Sequence, residues 1–210
     1  MQWGFAPNTD SNPQHRYHRK ENTMAVTALD PKTALIVIDL QKGIVSLSTA
    51  HPVAEVVKRA GAMAEAFRGR GLPVVLVNVA GGAPGRTEQA HNRRDFPAGW
   101  TDLVPELNRQ PQDHAVTKRT WGAFTNTDLE EYLRNQGVTQ VVIAGVATSL
   151  GVESTARHAY ELGFNVILAI DAMTDMNPDA HANSLTRIFP RLGETGTTQE
   201  IIDLLGKRSA

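Results

Sequence analysis

Gly145-Val146-Ala147-Thr148-Ser149-Leu150-Gly151-Val152-Glu153-Ser154-Thr155 is the stretch whose reading decides the fold. Just upstream, Gln140-Val141-Val142-Ile143-Ala144-Gly145 reads as strand four, with Val141 to Ala144 apolar throughout. Downstream, residues 149–162 read as a helix closed by Gly163. A buried strand therefore passes directly into a helix N-terminus. The first amides of such a helix are unpaired, and its dipole adds partial positive charge. The junction suits a carboxylate or a developing oxyanion. Thr148 and Ser149 read as helix caps rather than nucleophiles, because no histidine base stands beside them in the sequence. Gly151 allows a ligand to approach the backbone closely, with a packing glycine as the structural alternative.

The same alternation continues on both sides. Residues 34–38 form a first strand ending at Asp39, and residues 52–70 carry apolar side chains at helical spacing. Residues 73–79 are a second buried strand and 114–118 a third, short one. A helix follows over 127–136, capped by Asn126 or Thr127. Residues 165–171 are strand five, 178–189 a helix, 194–196 a short sixth strand and 198–205 the last helix. Strands alternating with helices imply a three-layer α/β/α, Rossmann-like fold around a central, mostly parallel six-stranded sheet. Residues 80–112 are a long Gly-, Pro- and Arg-rich excursion, a length that is usually functional.

In open parallel sheets, sites form at the carboxyl ends of strands. Asp39 ends strand one, Lys118 ends strand three, and the 147–151 turn follows strand four. A carboxylate after five apolar residues is partly desolvated, which raises its pKa toward the range of proton transfer. A nearby Lys118 ammonium would hold it ionised and oriented. Each residue alone fits a structural ion pair equally well; their combination with the strand-to-helix turn favours chemistry. Arg86 is a candidate partner for a substrate carboxylate, and Trp100, Trp121 and Phe124 are candidate walls of a pocket for an apolar or ring-bearing molecule. A solvated rim and ordinary packing are the alternatives.

Asp39 in Ile-Asp-Leu-Gln, Lys118 in Lys-Arg-Thr-Trp-Gly-Ala-Phe, and Gly-Val-Ala-Thr-Ser-Leu-Gly-Val-Glu-Ser-Thr-Ala-Arg resemble, in order and spacing, the three signatures of the isochorismatase-like hydrolase superfamily. Other members include nicotinamidases and N-carbamoyl amidohydrolases. The resemblance spans residues 33 to the C-terminus. It implies a triad of Asp39, Lys118 and a nucleophilic thiol at position 151, where this chain has glycine and where no cysteine stands anywhere. It also implies a cis peptide at Val146–Ala147, oxyanion donors at Ala147 and residue 151, and substrate contacts at Gln41 and Thr148. True isochorismatases also carry glycine at that position and cleave a vinyl ether without a covalent intermediate, with the aspartate as proton donor. Their turn contains a Tyr and a His, however, where this chain reads Ala147-Thr148-Ser149-Leu150. The expected activity is thus cysteine-independent acid/base hydrolysis of a small, carboxylated molecule by Asp39 and Lys118. The alternative is an inactive family member that binds a small ligand or serves in an assembly.

Whole-chain properties bound the remaining classes. At 210 residues, 41% hydrophobic and 20% charged, the chain fits one domain. A net charge of -1 provides no field for nucleic acid or an anionic membrane. No apolar run is long enough to span a bilayer, and the first residues lack a signal-peptide core, so cytoplasm is the default location. Residues 1–32 are polar and aperiodic and are expected to be a flexible tail, or an arm anchored on a neighbouring subunit by Trp3, Phe5 and Tyr17. The scattered histidines give no metal cluster, no cofactor is expected, and the resemblance implies a homodimer or higher homo-oligomer.

Overall fold

The computed structural model describes residues 26–88 and 96–207. Six strands form one sheet: β1 (Thr33–Ile38), β2 (Val74–Val79), β3 (His114–Lys118), β4 (Gln140–Val146), β5 (Asn165–Thr174) and β6 (Glu194–Gly196). Their order is β3-β2-β1-β4-β5-β6, and every pairing is parallel. The chain builds outward from β1 through β2 to β3, then returns to the other side of β1 with β4. The β1/β4 boundary is therefore the topological switch point, where a crevice opens beyond the strand ends.

Helices cover both faces. On β1, Leu35 and Val37 face a core shared with α2 (Val53–Gly69) and α6 (Thr198–Lys207). Ala34, Ile36 and Ile38 face the opposite core, shared with α3 (Leu129–Asn135) and α4 (Glu153–Glu161). This double burial is why β1 and β4 read as unbroken apolar runs rather than alternating ones. Two short helices complete the set: α1 (Lys42–Val45) follows β1, and α5 (Pro178–Asn183) follows β5. Among the described residues, no helix is long and apolar enough to cross a membrane.

Four local expectations differ from the structure. The helix after β4 does not start at Ser149: a π-helical turn (Thr148–Val152) precedes α4, with the amides of Leu150 and Val152 both donating to the Ala147 carbonyl at 3.1 Å. Strand β5 runs on to Thr174, and its pairing with β4 shifts register between Ile143 and Gly145. The single helix expected over 178–189 is α5 followed by a π turn (Ser184–Ile188) and a 3-10 turn (Phe189–Arg191) that contains Pro190. The start of α3 falls at Leu129, with the Thr127 hydroxyl accepting from its amide at 3.4 Å.

Of the segment expected to be a tail, residues 26–32 are fixed to the sheet. The Val26 amide donates to Thr195, Thr27 bonds Glu194, and the Asp30 amide bonds the Gln140 side chain. Trp3, Phe5 and Tyr17 lie outside the described residues.

Candidate active site at the switch point

Asp39 follows the last residue of β1 with a left-handed φ of 52°, an uncommon conformation for a residue with a Cβ. Its side chain is almost fully buried. One oxygen, Oδ2, lies 2.7 Å from Lys118 Nζ; the other, Oδ1, is buried without a hydrogen-bond partner. Burial pushes the Asp39 carboxyl up to about 6, against the Lys118 charge and hydrogen bond, which pull it down. Lys118 comes from the edge strand β3, two strands away. Its ammonium also donates to the Thr120 carbonyl at 3.2 Å.

The third element arrives from the opposite side of β1. Gly145 has a φ of 119°, and a Cβ there would meet the Ile38 carbonyl oxygen at 2.0 Å, so only glycine lets β4 lie this close to the end of β1. The Val146–Ala147 peptide is cis. The Ala147 amide makes no hydrogen bond to the described residues. Gly151 closes the cluster: a Cβ built on it would stand 3.3 Å from Asp39 Oδ2 and 3.5 Å from Lys118 Nζ. Position 151 thus faces the acid–ammonium pair directly.

The other expected site residues are placed differently. Gln41 is fully buried, and its carboxamide serves the backbone: Oε1 accepts from the Val79 amide at 2.7 Å and Nε2 donates to the Val79 carbonyl at 3.1 Å. It ties α1 to the end of β2. Phe124 lies in the core against Phe164 and His158, so it is not free to wall a pocket. Trp100 stacks on Phe96 and covers Gly43, where a Cβ would collide with its ring. Trp121 is 57% exposed in the loop after β3, and Arg86 is exposed in the loop after β2.

Thr148 and Ser149 do not cap the helix themselves. Thr148 is fully buried, with its hydroxyl 2.8 Å from His181 Nδ1 on α5. The Ser149 amide and hydroxyl both donate to Asp175 Oδ2, each at 2.8 Å. A histidine thus does stand beside the hydroxyls, contrary to the sequence reading, yet Thr148 is enclosed and acts as a tether. Burial and the neighbouring His51 lower the His181 pKa, with Asp175 opposing. Asp175 and His181 were missed because they lie beyond β5 in sequence. The readable signal was Asp175-Met176-Asn177-Pro178, a turn sequence immediately after a buried strand. Among the described residues, no three His, Asp or Glu side chains are grouped closely enough to hold a metal ion.

This fold, with a buried Asp–Lys pair beside a strand-to-helix turn at the switch point, has counterparts among known proteins. An isochorismatase domain model matches residues 33–200. The isochorismatase family protein YwoC of Bacillus subtilis is 42% identical over 179 residues, covering 82% of this chain and 93% of that protein. A solved isochorismatase family protein from Burkholderia thailandensis superposes with a TM-score of 0.84 at 39% identity, covering 87% of this chain and 100% of that one. Ureidoacrylate amidohydrolase RutB of Pseudomonas savastanoi is 30% identical over 181 residues, covering 70% of this chain and 73% of that protein. The chain belongs to the isochorismatase family and is, in that general sense, a hydrolase.

Proposed function

We propose that the protein hydrolyses a small, carboxylated molecule without a covalent thiol intermediate. Asp39 is the general acid/base, Lys118 sets its ionisation, and the free Ala147 amide receives developing negative charge or a substrate carboxylate. The observation that carries this reading is the half-used carboxyl of Asp39. One oxygen, Oδ2, is held by Lys118 and faces the bare position 151, while the other, Oδ1, is buried without a hydrogen-bond partner. A carboxyl near pKa 6 exchanges a proton readily at neutral pH, as an acid/base catalyst must. The missing cysteine excludes the thiol route that the family resemblance assigns to position 151.

The test is turnover by purified protein on carboxylated vinyl ethers, amides and ureides. Asp39→Asn is expected to reduce kcat by about 10²- to 10⁴-fold, the usual share of a general acid or base. Unchanged turnover in that variant refutes the assignment. Tight binding of a small acid with no turnover across the panel would support the alternative of an inactive ligand-binding member. We further propose a homodimer or higher homo-oligomer, to be read from light scattering of the purified chain.

A further inference from the structure

The 147–152 turn is held by more than its own helix. Both of its hydroxyl residues are anchored to the segment that leaves β5. Asp175 is 2% exposed and bonds in three directions: Oδ2 takes the amide and hydroxyl of Ser149, and Oδ1 takes the Asn177 amide at 3.0 Å. Its backbone carbonyl accepts from Ala50, which fixes the loop after α1. Six residues on, His181 takes the Thr148 hydroxyl, and Asn177 caps α5 through the amides of Asp179 and Ala180. The turn between these anchors contains a π-helical coil, whose wider winding turns Gly151 toward Asp39 and Lys118.

We propose that Asp175, with His181, is a positioning residue: it seats the 147–152 turn against the Asp39–Lys118 pair and keeps water from the buried face of Asp39. An amide at a helix N-terminus that donates to a carboxylate of the protein is committed to the protein, not to substrate. Ser149 N is therefore structural, and substrate charge is left to the Ala147 amide. The anchor reaches the turn from the side of β5, whereas Asp39 and Lys118 lie on the side of β1. Among the described residues no hydrogen bond or ion pair links Asp175 to either of them; loss of its charge is common to Asp175→Ala and Asp175→Asn, so a shift seen in the alanine variant and largely restored in the asparagine one passes through the turn.

This inference rests on the reading of Asp39 and the turn as one site, but its test needs no substrate. The measurements are the Asp39 carboxyl midpoint, followed by carbon-13 NMR, and amide hydrogen exchange across residues 147–152. Lys118 is the one charged group in contact with that carboxyl among the described residues, and it is unaltered in every variant. Asp175→Ala is expected to speed exchange in the turn by about tenfold or more and to lower the Asp39 midpoint from about 6 toward 3.8, because entering water removes the burial that raised it. Asp175→Asn keeps an acceptor for the Ser149 amide and is expected to restore most of both values. A purely stabilising role would lower the unfolding midpoint while leaving the Asp39 titration in place, and that result overturns the proposal. If Asp175→Ala does not fold, Ser149→Ala and Thr148→Val each remove one tether and are expected to shift the titration in the same direction; no shift in either overturns it equally. An inert Asp39 in turnover assays would defeat the functional reading alone, since the titration and exchange results would stand.

Discussion

The raised carboxyl of Asp39 has a thermodynamic signature that is independent of any substrate. In the unfolded chain an aspartate titrates near 3.8, whereas in the folded protein Asp39 titrates near 6. Below both values the group is protonated in both states and adds no pH dependence. As the pH rises from about 4 toward 6, the unfolded chain releases its proton first, so unfolding becomes easier. Above about 6 both states are ionised and the effect levels off. Between 3.8 and about 6, at about 1.4 kcal/mol per pH unit, the loss of stability amounts to about 3 kcal/mol. Asp39→Asn is a non-titrating stand-in for the protonated form. Urea unfolding of both proteins from about pH 4 to pH 7.5 isolates the group, because any offset from the amide's contact with Lys118 is common to every point. The variant should gain about 2.5 kcal/mol on the native protein across that range, most of it below about pH 6.5. Parallel stability curves would show that the folded carboxyl titrates like an exposed one, and the acid/base reading would fall with it.

Three further expectations follow from the same geometry. Lys118→Met removes the charge and hydrogen bond that oppose burial, so the Asp39 midpoint should rise above about 6; in turnover, the limb set by Asp39 should move the same way, and a fall would contradict the pairing. Gly151→Cys should introduce a thiol that iodoacetamide labels in a protein otherwise free of cysteine, because position 151 faces the crevice; the Ile38 methyl 2.9 Å from the new Cβ must give way, and an unlabelled, folded variant would show that the position is closed. Asp113→Ala strips the buried Arg68 of two bonds, at 3.0 and 2.7 Å, and should cost about 3–5 kcal/mol in urea unfolding with the Asp39 titration unmoved.

The frame of the molecule was legible where a single physical rule governs a long stretch. Residues 34–38, 74–79 and 140–145 are apolar on both sides because helices cover both faces, and that leaves no ambiguity of period. The meeting of Asp39 and Lys118 was legible because both stand at the carboxyl ends of strands in one parallel sheet. Legibility failed where tertiary bonds override local preference. Thr148 and Ser149 have the chemistry of caps, yet Asp175 and His181, distant in sequence, claim their hydroxyls, and the helix opens with a π turn. Phe124 lies in the loop after β3 and invites a pocket role, but its ring packs on Phe164. Gln41 looks like a substrate contact until its carboxamide is seen completing the backbone pairing of Val79. Side-chain service to the main chain leaves no periodic trace.

The sheet order brings position 151 and the Asp39–Lys118 pair together from opposite flanks of β1. Strand β3 stands two places from β1, roughly 10 Å at the usual strand spacing, so its charge reaches Asp39 only through a long flexible stem. Lys118 spans that gap with its stem buried and its ammonium on Oδ2. Position 151 enters from the other flank, across the switch point, and contributes nothing to holding that pair. Removing a thiol there leaves the two halves of the ion pair untouched. Proton transfer to or from a bound molecule needs only the Asp39 side, whereas acyl transfer to sulfur needs both. A chain with no use for the carboxyl could carry Asn at position 39 and avoid the roughly 3 kcal/mol that an ionised, half-paired aspartate costs above about pH 6. That this chain carries aspartate, with one buried oxygen left without a hydrogen-bond partner, favours chemistry over scaffolding at the switch point.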